Sequence, residues 1–475
     1  MVSGFIKNIK GKAIGGILIV VLGNVALLFS KTVIWLLVPG MLGVVEYGYY
    51  KTFTLYFVYA MLLHFGFPDG ILLIHAGQRY EEIDKAEFRR NSRFFIIFQM
   101  LVSLVITGMS LMVCRGISRY IFCMIGIDAL FVNVATYYKF ISQAVMRFRE
   151  LTVRNMIQAV LQVASLLVIL VLSKNRVLPA NGYVYIFSVV MIDAVLMIWY
   201  MITYKDITFG RAVSLLEHAG KIRKYFSVGI LLTLAFQVSH LVFALDSQMV
   251  EILFEVEIYS LYAFSYSITN MITTVISAVA TVLLPSLKRL EERDALSKFS
   301  DIMGMVSIVV FFFIAAYYPL VLFVRWYLPD YVGALRYLRI ILPGLAVSSC
   351  INLVIFTYYK VLNCLRRYLF VSIVMLFAGG ILNCGGYLLF HTPESFSAAS
   401  IITLLLWYLL AEYYLVKAFQ AGWLRNFIYI CLEITIFYVV NIWAQSELKA
   451  MCLYCAGYFI STLPFYKKLV RSYKL

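Results

Sequence analysis

The chain predicts an all-α integral membrane protein of about 14 transmembrane helices, with two six-helix lobes around a central cavity and a C-terminal helix pair. Three observations carry that prediction: the composition, the succession of apolar runs, and the placement of positive charge. Of the 475 residues, 63% are hydrophobic and only 13% charged, and mean hydropathy is +0.90. Water-soluble proteins run about 45–50% apolar and about 25% charged, so too few polar residues remain here to clothe a soluble surface. The useful ruler is then the bilayer, at about 20 apolar residues per helical span.

Apolar runs between charged residues and Pro/Gly breaks give the spans in order. The first, 14–38, follows Lys7, Lys10 and Lys12 and runs on into further spans, so it reads as a span and not as a cleavable leader. It holds Asn24 and Lys31, seven residues apart and therefore on one helical face. The second, 47–75, presents Tyr47, Lys51 and Thr54 on one face, and its Gly66-Phe67-Pro68-Asp69-Gly70 segment predicts a kink. After 94–114 comes 120–144, where Asn133, Thr136, Phe140 and Gln143 form a stripe with Lys139 beside it. Spans 155–173 and 182–203 complete a first bundle, and the latter carries Asp193.

A second bundle opens with 226–245, where Thr233, Gln237 and His240 recur at helical spacing. Span 258–284 bears a long polar stripe of Tyr266, Asn270, Thr273, Ser277 and Thr281. Span 302–324 follows, then 333–359, which starts with Arg336 and Arg339 one turn apart. Spans 368–390 and 397–416 close the bundle, and 426–444 and 450–466 form the terminal pair. The expected division is 1–215 and 216–425 for the lobes and 426–475 for the terminal pair and basic tail. The C-x-x-C of Cys452 and Cys455 falls on the last span and reads as chance, so no metal and no cofactor is expected.

Basic residues fix the orientation. With the N-terminus inside, cytoplasmic segments hold 29 Lys and Arg against six outside: Arg115, Arg119, Lys174, Arg176, Arg325 and Lys449. Both termini are therefore expected in the cytoplasm. The net charge of +16 is then a topology signal in contact with anionic lipid, and not a nucleic-acid footprint.

The connections exclude several functions. The longest lie near 77–93, 204–225 and 285–301, and none could hold a catalytic domain. No P-loop, G-x-S-x-G or H-E-x-x-H occurs. The acidic stretch Asp246, Glu251, Glu255 and Glu257 has no nearby His or Cys and reads as a solvated external loop. Movement of a molecule, and not bond-making, is the expected activity.

An internal repeat supports the two bundles. Val44, Tyr47 and Tyr50 match Val256, Tyr259 and Tyr262 at a constant offset of 212, each set opening the second helix of its bundle. Parallel repeats of this kind hold substrate between their halves in one transporter design. Ionisable residues inside spans usually face a cavity or a partner. Lys31, Lys51, Lys139, Arg336 and Arg339 would make such a cavity cationic, suited to an anionic substrate group, with Asn24, Gln237, His240 and Asn270 as polar lining. Snorkelling of Lys139, Arg336 and Arg339 to headgroups is the alternative, and the Ser, Thr and Asn stripes read equally as helix-packing glue. Asp69 and Asp193 are candidates for ion coupling, against a cap for the first and a private partner on a neighbouring helix for the second.

Leu42-Gly43-Val44-Val45-Glu46-Tyr47-Gly48-Tyr49-Tyr50, followed by His64-Phe65-Gly66-Phe67-Pro68-Asp69-Gly70, resembles the start of Wzx-type polysaccharide flippases. Gln143-Ala144-Val145-Met146-Arg147-Phe148-Arg149-Glu150 is similar to that family's fourth-helix ending, and Leu338-Arg339-Ile340-Ile341-Leu342-Pro343-Gly344 to its tenth helix. The resemblance covers the whole chain. It implies the fold of the multidrug/oligosaccharidyl-lipid/polysaccharide exporter superfamily, in a bacterial inner membrane. It also implies translocation of an undecaprenyl-pyrophosphate-linked oligosaccharide, for O-antigen or capsule, beside a polymerase and chain-length regulator of the same pathway. Basic residues of the first two helices engage the pyrophosphate in such flippases. Lys31 and Lys51 fall in the matching helices, where the family more often has arginine. An ion-coupled multidrug exporter of the same fold is the alternative, and a membrane glycan polymerase or ligase a third.

Overall fold

The computed structural model describes the backbone of residues 2–210, 219–287, 292–419 and 424–473. Side chains are described there apart from 2–22, 24, 219, 274–287, 292, 293, 295, 418, 419, 466 and 468–473. Asn24, Ser277 and Thr281 from the polar stripes therefore lie outside the described side chains. Among the described residues every regular element is a helix, and 12 stretches are long and apolar enough to cross a membrane. In hydrocarbon a backbone must satisfy its own amides, and a helix does so within one segment. The chain divides into two compact units, 1–237 and 238–475.

The first unit begins with α1 (Val2–Leu62), which is two helices joined at a sharp break. Gly43 takes φ 75° and ψ 174°, a conformation open to glycine, four residues after Pro39. Span one thus passes into span two with no loop between them. A second break follows at Phe65 (φ 49°) and Gly66 (φ 81°), after which α2 (Phe67–His75) resumes with Pro68 in its first turn. This is the expected kink. Then come α3 (Lys85–Val113), capped by Asp84 accepting from the amides of Ala86 and Glu87, and α4 (Gly116–Ala144). The helices α5 (Phe148–Lys174), α6 (Gly182–Thr203) and the single turn α7 (Lys205–Thr208) follow. Helix α8 (Ala219–Leu253) carries the chain across the boundary between units.

Within this unit α1 packs against α4, α5 and α6, α3 against α4 and α7, and α2 against α4. An aromatic core forms where α2, α3, α4 and α6 meet: Phe67 stacks on Phe95 at 5.2 Å and Tyr138 on Tyr204 at 5.8 Å. Glu46 accepts the Gly182 amide at 2.7 Å and ties the second segment of α1 to the start of α6. The approach of α2 to α8 is closest of all. A methyl on Gly229 would sit 1.9 Å from the Gly66 carbonyl oxygen, and one on Gly70 2.0 Å from that of Tyr225.

The second unit continues with α9 (Val256–Leu287), α10 (Glu292–Ser297), α11 (Phe299–Ile314) and α12 (Tyr317–Tyr327). A 3₁₀ turn (Pro329–Tyr331) leads to α13 (Ala334–Ile341) and α14 (Gly344–Ser349), then a π turn (Cys350–Ile355) leads to α15 (Phe356–Val361). The long helices α16 (Leu365–Phe390), α17 (Pro393–Phe419), α18 (Arg425–Trp443) and α19 (Glu447–Tyr473) complete it. Helix α13 packs on α9 and α17, while α18 and α19 pack on each other and on α11. The expected run 333–359 is thus broken at Leu342–Pro343, because proline brings no amide to the helix ladder. The repeat marks equivalent starts: Val44 follows the Gly43 break, Val256 opens α9, and Tyr47 and Tyr259 are each 2% exposed.

Candidate functional site

Three lysines of the first unit stand on α1 and α4, two helices in contact. Lys31 lies on the first segment of α1 and Lys139 on α4. Both are exposed, and they are near enough for their like charges to interact. Neither has a carboxylate partner among the described residues. Ser30, next to Lys31, is buried and bonds to Gln162 at 3.1 Å, which fixes this turn of α1 on α5. Two ammonium groups held together repel, and an anion between them relieves that repulsion.

Lys51 sits past the Gly43 break and is half-buried. Its Nζ lies 5.1 Å from the Tyr47 ring centre and 5.3 Å from that of Tyr50. The spacing explains the contact with Tyr47, which lies one turn before Lys51 on the same face. Cation–π attraction is worth about 0.5–1 kcal/mol when exposed and about 2 when desolvated. Tyr50 is itself braced edge-on by Tyr185 at 4.8 Å. The structure therefore brings Lys31 and Lys139 together and gives Lys51 an aromatic cradle on the other segment of α1.

The expected acids differ in kind. Asp69 is buried in the first turn of α2, where it accepts from Thr233 Oγ1 on α8 at 2.7 Å. Through that bond it joins α2 to α8. His64 Nδ1, 3.8 Å from Asp69, accepts the Gly66 amide at 3.1 Å and so presents a lone pair there. Asp193, half-buried on α6, has an acid for its neighbour: Asp128 of α4, which is fully buried with neither carboxylate oxygen hydrogen-bonded among the described residues. Asn133 is structural, donating to Ala60 O at 3.0 Å and to Gln99 Oε1 at 2.9 Å, while Gln99 reaches Leu63 O. Those bonds hold the carbonyls freed by the break at Gly66. Gln237 is buried at the end of the unit.

In the second unit, His240 on α8 and Asn270 on α9 are exposed. Arg336 and Arg339 are also exposed, on α13. Arg336 pairs with Glu394 at 3.2 Å and donates to the Tyr337 hydroxyl at 2.6 Å. Asp246 corrects the sequence reading. It was expected in a solvated loop, yet α8 runs on to Leu253 and buries it completely. There it accepts from Tyr262 at 2.8 Å, from Tyr266, and from the Ser247 amide at 2.7 Å. Two further buried acids were missed: Glu412, bonded by Tyr408 at 3.4 Å, and Glu433, bonded by Ser461. Both lie inside apolar runs, where a lone acid was the available signal.

No protein-family profile and no curated protein matches the chain. Solved structures do. The lipid II flippase MurJ, in an inward closed conformation, is similar over 96% of this chain and 100% of its own, with TM-score 0.70 and 13% identity. A point mutant of the Vibrio cholerae MATE transporter VcmN is similar over 87% of this chain and 97% of its own, with TM-score 0.58 and 13% identity. An inward-facing multidrug resistance MATE family transporter of the MOP superfamily is similar over 83% and 95%, with TM-score 0.58 and 14% identity. The chain has the multi-pass helical fold common to the MurJ flippase and the MATE transporters.

Proposed function

We propose that the protein is a flippase that carries an undecaprenyl-pyrophosphate-linked oligosaccharide repeat unit from the cytoplasmic to the external leaflet by alternating access. The observation that carries this reading is the pair Lys31 and Lys139: exposed, near enough for their charges to interact, and without a carboxylate partner among the described residues, on helices long and apolar enough to cross a membrane. Such charges belong beside water or an anion. A pyrophosphate carries the matching charge, and with its sugars it forms the head group that cannot cross hydrocarbon unaided. Lys51, cradled by Tyr47 and Tyr50, is the third cation of the site. The MurJ likeness supports the lipid-linked substrate, since that structure is named for lipid II.

The same reading sets the topology. The Gly43 break divides Val25–Leu62 into two spans, and α9, described in side chain only to Thr273, adds another to the 12. That makes 14, with both termini in the cytoplasm of a bacterium, lobes 1–215 and 216–425, and the terminal pair 426–475. Asp193, beside Asp128, is better placed for ion coupling than Asp69, which Thr233 engages. A polymerase and chain-length regulator would take the flipped unit onward.

Lys31→Ala and Lys51→Ala, alone and together, test the site at matched expression. The expected outcome is loss of surface polysaccharide, with complete repeat units accumulating on undecaprenyl pyrophosphate at the cytoplasmic leaflet. Wild-type polymer in the double variant would reject the cation site. A second reading, an ion-coupled multidrug exporter, is favoured by the MATE likeness and by the acid pair Asp128 and Asp193. Unchanged drug sensitivity in a deletion strain rejects that one.

A further inference from the structure

In the second unit, α12, α13 and the connection from α18 to α19 enclose a cavity of about 290 Å³. Its walls carry three guanidinium groups, Arg325, Arg336 and Arg339, against one carboxylate, Glu447. Two of the three are engaged: Arg325 meets Glu447 at 3.0 Å and Arg336 meets Glu394 at 3.2 Å. Arg339 is exposed and has no ion-pair partner among the described residues. Tyr317 and Gln445 add a hydroxyl and an amide to the same walls. The cavity is thus a preformed space with one positive charge left over.

Its surroundings indicate where it sits. Trp326 and Trp443 are 79% and 81% exposed, and Tyr327 is exposed next to Trp326. Each adjoins a wall of the cavity, Trp326 next to Arg325 and Trp443 next to Ala444. Large aromatic side chains left bare at helix ends are characteristic of the membrane–water interface. A basic pocket at that level, between helices, has the chemistry of a headgroup site. Arginine suits it, because the planar guanidinium offers two parallel donors to a phosphate where lysine offers a point charge.

The geometry points to a binding pocket for the phosphate of a membrane lipid, with Arg339 as the residue that ligates it. The pocket is built within one unit. The inference rests on the chain being membrane-embedded and not on the flippase reading.

The test is lipid retention by the full-length protein in phosphatidylcholine nanodiscs, read by native mass spectrometry after phosphatidylglycerol or undecaprenyl pyrophosphate is added. Wild-type protein is expected to keep one anionic phosphate lipid in preference to the zwitterionic phosphatidylcholine around it, and Arg339→Gln to lose it by about tenfold or more. Gln445→Glu, which places a negative charge on an exposed wall position without altering the core, is expected to lose it likewise, whereas Arg339→Lys retains part. Retention of phosphatidylglycerol assigns the site to bulk phospholipid, and retention of undecaprenyl pyrophosphate alone assigns it to the lipid-linked cargo. Lys31→Ala should leave retention of phosphatidylglycerol unchanged. Only undecaprenyl pyrophosphate lost in Arg339→Gln and kept in Lys31→Ala counts for this pocket, so failure of the flippase reading would not be mistaken for failure of this one. Equal retention of both lipids by wild type, Arg339→Gln and Gln445→Glu overturns the proposal.

Discussion

Asp246 is a carboxylate with no exposure inside an apolar helix, held by two tyrosine hydroxyls and a backbone amide. Buried donors left without an acceptor cost about 1–3 kcal/mol each. Asp246→Ala strands the hydroxyls of Tyr262 and Tyr266 together. It should therefore destabilise by about 2–4 kcal/mol, read as a lower midpoint of thermal unfolding in detergent. Asp246→Asn keeps an acceptor oxygen in place and should cost less than half as much. Equal melting of the alanine variant and wild type would show that the tyrosines find water instead. Neighbouring acids hid this residue from the sequence reading, because Glu251, Glu255 and Glu257 made the whole stretch look solvated. Lys51 was legible for the opposite reason. A lone cation in an apolar run stands out, and the tyrosines that cradle it lie at helical spacing in the same segment.

Between elements, the contact of α2 with α8 sets the tightest constraint in the first unit. Backbone meets backbone there, so a Cβ on Gly229 has nowhere to go: the obstructing atom, Gly66 O, lies at 1.9 Å. No rotamer change relieves a clash with a carbonyl. Gly229→Ala should force the helices apart, break the Thr233–Asp69 bond, and cost more than about 3 kcal/mol or prevent accumulation of folded protein. Gly108→Ala is the control. It lies on α3 with nothing within 4 Å of the added methyl and should be neutral or stabilising by up to about 1 kcal/mol. Fluorescence-detected gel filtration of both variants from membranes distinguishes them, and similar behaviour would refute the close-approach account. Helix breaks at Gly43, Gly66 and Pro343 were all marked by residue type, yet only Gly66 was read as one. At Gly43 the helix runs right up to the break where a loop was expected, and at Pro343 a continuous span was expected. Which helices touch was not legible, since the Lys31–Lys139, Asp128–Asp193 and Asp246–Tyr262 relations depend on rotation and neighbour, which one sequence does not encode by periodicity.

For the whole molecule, the fold class was legible because a bilayer allows so few solutions. A chain 63% hydrophobic with most of its charges in short connections must bury its amides in spanning helices or a closed barrel, and its run lengths select helices. Orientation rests on a separate argument, that Lys and Arg near span ends resist translocation. The basic connections also carry structure of their own. Lys85 meets Asp206 at 2.8 Å and Tyr80 donates to it at 2.6 Å, while Lys221 and Tyr225 each reach Glu87 at 2.9 Å. Partial burial works against ionisation of Asp206, but the bonds from Lys85 and Tyr80 outweigh it and hold its carboxyl below the usual range. Its contribution to stability is therefore present above the unfolded value of about 3.9 and is lost only as pH falls through the lower folded value. At neutral pH this connection therefore keeps its ion pair. Gln78→Cys, in the same stretch, should then resist a membrane-impermeant maleimide on intact cells and react once the cells are permeabilised. Asn175→Cys, in the connection between α5 and α6, should react in both. The background needs Cys384→Ser and Cys452→Ser, because those native thiols are exposed. The reverse pattern would place the 29 basic residues outside, turn the cargo's direction around, and leave the cationic pair on α1 and α4 without an anion to meet at the leaflet where lipid-linked sugars are assembled.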